Sequence, residues 1–161
     1  MDYLFNPEKL KYVKKDRKYS GCLLCALRDR EPDVEALILY RDERVMATLN
    51  LYPFNPGHLL LFPCRHIEEY REMTDDEALA MHRLLTGSLS ILEERFSPTG
   101  FNLGYNLGEG SGASIAHIHQ QVIPRYENEL GFLEVMAGTR LMVHDPRQVL
   151  EDLQEAFSRL S

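Results

Sequence analysis

Apolar residues at Ala78, Met81, Leu85, Leu89 and Leu92 recur at helical spacing. Thr74 stands before them as a cap, Asp75, Asp76 and Glu77 fill the first turn, and Ser-Pro-Thr-Gly follows Phe96. This pattern predicts a long helix over 75–96. A second helical stripe, Val149, Leu150, Leu153, Phe157 and Leu160, follows Asp145-Pro146 and predicts a helix over about 146–160. Asn6 and Pro7 open a short basic helix in an N-terminal extension of about residues 1–20. Elsewhere the period shortens to that of strands. "EALILYRDERVMATLNL" reads as two β runs around a polar turn at Arg41 to Glu43. "HLLLFP", "FNLGYNL" and "SIAHIHQQVIP" read as three more. "YPFNPG" is a breaker cluster, "GCLLCALRDREPD" reads as loop, and "RYENELGFLEVMAGTR" is left mostly as loop. Short connections between the strands favour antiparallel pairing. The expected fold class is α+β: an antiparallel meander sheet of about five strands, with one long helix and terminal helices packed on it.

Composition narrows the class of protein. A chain of 161 residues is expected to form one domain and to bury a core without staples. A formal net charge of -7 argues against a nonspecific nucleic-acid coat, although converging local donors would still hold an anion. No run of 18 apolar residues occurs, so no membrane span is expected. The first residues, "MDYLFNPEKLKYVKK", lack a signal-peptide core, and the expected compartment is the cytoplasm. Three cysteines make no even disulfide set, and two of them form "CLLC", a metal or redox pattern.

The chemistry concentrates in "NLGEGSGASIAHIHQQVIPRY". Along a strand, His117, His119 and Gln121 share one face, with the two histidines about 7 Å apart. Before them lie Gly108, Gly110 and Gly112 with Ser111 and Ser114, a set suited to pointing backbone N–H groups at an anion. No dinucleotide or kinase-type glycine spacing is present, and no lysine follows the glycines. From residues alone a surface turn and a polar patch explain the same stretch. His58 and His66, at the two ends of "HLLLFP", read as structural, and His82 and His144 as surface residues. Cys22 and Cys25 are half of a tetrahedral zinc site, so two histidines would have to complete it. Cys64 reads as a buried thiol.

Together the pieces resemble the histidine-triad (HIT) superfamily. "HIHQQVI" is similar to its His-x-His-x-His signature. "LNLYPFNPGHLLLFPCRHI" and "NLGEGSGASIAHIHQQVIPR" resemble its two halves, and the likeness covers about Cys22 to about Tyr126. One position departs: the third histidine is Gln121. Gly112-Ala113-Ser114 with His-x-His-x-Gln looks like the diadenosine tetraphosphate phosphorylase and galactose-1-phosphate uridylyltransferase branch, and the chain length favours the phosphorylase side. The resemblance implies His119 as nucleophile, with Gln121 beside it in the catalytic site. It implies ribose contact at Asn50, phosphate contacts at Asn106, Gly112, Ser114 and Gln121, and His58 on the phosphate side of the pocket. It implies a structural zinc on Cys22, Cys25, His66 and His117. The implied activity is phosphorolysis of dinucleoside polyphosphates through a nucleotidyl-histidine, with inorganic phosphate as acceptor. Hydrolysis of the same substrates and a non-catalytic nucleotide sensor are the alternatives. The resemblance also implies a homodimer, usual in the family with a helix and a strand at the interface, and the helix over 75–96 is the expected interface element.

Overall fold

The computed structural model describes residues 21–127, 129 and 144–160. The proposed helix after Asn6, and most of the segment left as loop after Tyr126, lie outside the described residues. Among these residues three α-helices, α1 (Leu23–Asp29), α2 (Asp75–Phe96) and α3 (Pro146–Phe157), accompany five strands: β1 (Ile38–Arg41), β2 (Val45–Leu49), β3 (Leu59–Pro63), β4 (Gly100–Tyr105) and β5 (Gln120–Arg125). The sheet runs β1-β2-β3-β5-β4, with every described pair antiparallel. The α+β class therefore stands, with one refinement to the meander: β5 lies between β3 and β4. β3 and β4 consequently run in the same direction, and parallel strands need a long crossover. The 22-residue α2 supplies it.

Alternation along the strands sorts the two faces of the sheet. Ala47, Leu49, Leu59, Leu61 and Val122 point one way and pack on Met81, Leu84, Ile91 and Leu92 of α2 and on Val149, Leu153 and Phe157 of α3. Met46 and Phe62 are register partners and point the other way, onto Leu24 and Leu27 of α1. Next along that second face stand Thr48 and Leu60, also partners, and Leu60 in turn faces Gln121. This last row lines a cavity that Leu23 and Leu27 of α1 also line. The site lies there.

α2 begins as its sequence predicts. Thr74 accepts from the Glu77 N–H while the Glu77 side chain returns to the Thr74 backbone, a reciprocal cap. The prediction for residues 21–33 needs correcting, because Leu23–Asp29 is helix and not loop. A seven-residue helix has no stability of its own. Burial of Leu24, Ala26 and Leu27 forms it, and Arg30 ends it in the left-handed region at φ 55°.

Candidate functional site

β3 and β5 pair only as far as Leu61 and Gln120. Beyond that point Pro63 has no N–H to donate, and its carbonyl instead accepts the Nε2–H of His117 at 2.9 Å. The Ile118 N–H bonds to the Ile67 carbonyl at 2.8 Å. So His117 and His119 precede the strand and do not lie on it, correcting the single-face reading. His119 and Gln121 line a cavity above the sheet. His117 is fully buried and turns its Nδ1 towards the thiols of α1, 3.6 Å from Cys22 Sγ and 3.7 Å from Cys25 Sγ.

His66, just past β3, closes the cluster with its Nδ1 3.4 Å from Cys25 Sγ. The four ligand atoms lie within 4.8 Å of one another. Zinc–sulfur bonds of about 2.3 Å and zinc–nitrogen bonds of about 2.0–2.1 Å at the tetrahedral angle would separate S and N by about 3.6 Å. The three S–N edges of 3.4, 3.6 and 3.7 Å match. Both rings are also oriented for it. His117 gives its Nε2–H to the Pro63 carbonyl, and His66 Nε2 faces Glu68 Oε1 at 3.3 Å, so each presents Nδ1 inward. Burial holds His117 down to about 4, hence neutral. Burial, followed by the charge of Cys22, pushes the Cys25 thiol up to about 11; a cation among the ligands would reverse that bias. Cys64 stands apart from the cluster, half-buried and 3.5 Å from the Asp42 carbonyl.

The cavity has a volume of about 280 Å³ and brings together Asn50, Asn106, Gly112, Ser114, His119 and Gln121. His119 Nδ1 lies 2.9 Å from the main-chain carbonyl of His117. A carbonyl only accepts, so Nδ1 carries the hydrogen and Nε2 keeps its lone pair. Burial holds this ring below the ordinary histidine range, which keeps it neutral. The preceding loop turns at Gly108 and Gly112, with φ of 75° and 82°, values that favour glycine. Ser111 spends its hydroxyl on the Gly108 carbonyl inside the loop, whereas Ser114 lines the cavity.

His58 is the one implied pocket residue that does not line the cavity. It is fully buried, and its Nδ1 accepts from the Phe54 N–H at 3.1 Å and faces Asn50 Nδ2 at 3.4 Å. It thus braces two residues that do line the cavity. The apolar wall was missing from the sequence reading: Leu23 and Leu27 of α1, Val34, Leu51, Phe54 and Ile115. The Leu23/Leu27 spacing was the available signal. Asn55 was also missed. It is buried and ties the turn before His58 to the Pro124 carbonyl at 2.6 Å.

A family model described as HIT domain matches residues 31–128. That span holds His66 and His117 but excludes Cys22 and Cys25. The AP-4-A phosphorylase of Mycobacterium tuberculosis is 35% identical over 122 residues, covering 73% of this chain and 63% of that protein. The asymmetrical bis(5'-nucleosyl)-tetraphosphatase of Schizosaccharomyces pombe is 29% identical over 107 residues, covering 63% of this chain and 59% of that one. The chain therefore spans only about three fifths of each of these two relatives. A zinc-bound histidine triad family protein of Mycobacterium smegmatis superposes with a TM-score of 0.70 at 25% identity, covering 87% of this chain and 95% of that chain.

Proposed function

The chain belongs to the HIT domain family, and on that premise we propose that it is a nucleotidyl transferase, a phosphorylase of dinucleoside polyphosphates acting through a nucleotidyl-histidine at His119. The observation that carries this reading is the state of His119. Its ring is neutral, its Nδ1–H is committed to a backbone carbonyl, and its Nε2 is left as the nucleophile beside Gln121. In the first step Nε2 attacks the α-phosphorus of diadenosine tetraphosphate. A P–N bond forms, the P–O bond to the leaving group breaks, and ATP departs with the electron pair. Inorganic phosphate then attacks the same phosphorus, breaks the P–N bond and yields ADP. Asn106, Ser114, Gln121 and the backbone at Gly112 donate to the non-bridging oxygens as charge grows on them. Asn50 holds the ribose, with His58 fixing its amide from behind.

We assign Cys22, Cys25, His66 and His117 to a structural zinc, supported by the edge lengths and by the zinc-bound M. smegmatis relative. Four protein ligands leave no position for water, so the ion ties α1 to the site without entering the reaction. We also assign the homodimer interface to β4 and α2. Among the described residues β4 has a neighbour on one side only, Leu103 on it and Tyr70 beside its Tyr105 are exposed, and so is Leu79 of α2.

The deciding measurement is incubation with diadenosine tetraphosphate with and without inorganic phosphate. Phosphate-dependent formation of ADP and ATP supports the proposal. AMP and ATP formed without phosphate identify a hydrolase, the activity in the name of the S. pombe relative, and no turnover identifies a sensor.

A further inference from the structure

The cavity that is proposed to take an anion has no cationic side chain among its described lining residues. Among the described residues its formally charged ones are acidic: Asp33 and Glu35. Carboxylates beside phosphates would repel them, so these two must meet another part of the ligand. The sheet shows which part. Register runs across the cavity floor from Gln121 on β5 to Leu60 on β3, Thr48 on β2 and Ile38 on β1. Three inter-strand steps amount to about 14 Å. His119 and Gln121 stand at the β5 end, and residues 33–35 lead into β1 at the other. With an α-phosphate at His119, that distance carries a nucleoside past its ribose to the outer edge of its base. Val34, Leu27 and Phe54 supply apolar faces on the way.

Glu35 is already engaged. Arg147 of α3 holds it through two contacts, Nε to Oε1 at 2.7 Å and Nη2 to Oε2 at 3.0 Å. Asp33 carries no guanidinium among the described residues, and it is the acceptor left at that rim. An ionised carboxylate accepts hydrogen bonds and donates none. We propose that Asp33 is a specificity residue that accepts from the exocyclic amine of the base, so that the site prefers amino-bearing bases. This inference rests on the nucleotide-site reading above.

The test compares ligand pairs that differ only in that amine: AMP against purine riboside monophosphate, and GMP against IMP. Each is titrated calorimetrically into the wild-type protein and into Asp33→Ala. In at least one pair the amine-bearing nucleotide should bind about tenfold more tightly to wild type, the scale of a charge-assisted hydrogen bond. Asp33→Ala should remove that advantage while binding the amine-free partner as wild type does, which also shows that the variant is folded. Equal binding within both pairs by wild type overturns the inference and leaves the nucleotide site standing. An advantage that survives in Asp33→Ala overturns it as well. Failure of all four nucleotides to bind overturns the site itself and this inference with it.

Discussion

The imidazole of His119 donates its Nδ1 hydrogen to the backbone carbonyl of His117, 2.9 Å away, while the ring of His117 donates from its Nε2 to Pro63. Two histidines separated by one residue are thus held in opposite tautomers. One offers Nε2 to the cavity and the other offers Nδ1 to the thiols. The histidine that belongs to the Cys/His cluster also sets the protonation of its neighbour, through its backbone and not its side chain.

The two positions should separate cleanly on substitution. His119→Ala is expected to lower turnover of diadenosine tetraphosphate on the order of 10³-fold or more, because the covalent step has no other nucleophile. Its zinc content, measured by atomic emission, should stay at the wild-type level. Residual turnover near wild type would rule out the nucleotidyl-histidine.

On the proposed mechanism, Gln121 would set which leaving groups depart. An amide has no dissociable proton for a leaving amine, so the site should suit groups that leave as anions. Turnover of an adenosine phosphoramidate is expected to fall at least about 100-fold below that of diadenosine tetraphosphate, the scale of general acid catalysis. Gln121→His should narrow the gap. Comparable rates for the two substrates in wild type would remove glutamine from this role.

Metal removal should act on the base wall before it acts on the chemistry. Leu23 and Leu27 line the cavity from a helix of seven residues whose cap and first turn carry the two cysteines. Without the tie such a helix has little to hold it. His117→Ala is expected to lose zinc, lower Tm and raise KM for the nucleotide about tenfold, the equivalent of roughly one apolar side chain withdrawn from the pocket. A metal-free protein with unchanged KM would show that α1 stands on its own packing.

How much of this was legible in the sequence depended on whether a signal was local. Thr74, the acidic first turn and the leucine stripe fixed α2 because a cap and a helical period are local. The strand pairs β1–β2 and β2–β3 followed from connections too short for a crossover. The position of β5 between β3 and β4 was not legible, since strand order is decided by the crossover. The α1 helix was missed because its seven residues are stabilised by Met46 and Phe62, more than fifteen positions away in the chain. The same gap hid the apolar wall of the cavity. His58 was placed by resemblance on the pocket side, and the structure has it bracing Asn50 and Phe54 from behind.

Acid should weaken the fold through Glu77. Its carboxylate takes two contacts from Arg65, at 3.0 and 2.8 Å, as well as capping α2, and the Arg65 guanidinium, chiefly, brings it down to about 2. A folded-state value below the unfolded one, near 4.5, means that the stabilisation is complete above pH 4.5. It is then lost as pH falls from there through about 2. With Arg65 half-exposed the contribution is discounted to about 1 kcal/mol. Thermal melts at pH 7 and pH 3 should show a smaller acid-induced drop in Tm for Glu77→Gln than for wild type. An equal drop in both would place the acid sensitivity elsewhere.

The end of α2 holds a correctable strain. Ser97 closes the helix at φ 46° and ψ 51°, and its N–H reaches the Glu93 carbonyl at 3.1 Å. This left-handed position costs a residue with a Cβ about 1 kcal/mol, and glycine occupies it freely. Glycine keeps the N–H, so the closing bond survives the substitution. Its greater freedom in the unfolded chain offsets part of the gain. Ser97→Gly is therefore expected to add about 0.5–1 kcal/mol, a rise in Tm of about 2–4 °C at most for a chain of this size. Ser97→Ala keeps the Cβ and should bring no rise. A Tm for Ser97→Gly at or below that of Ser97→Ala would show that this turn is not strained in solution.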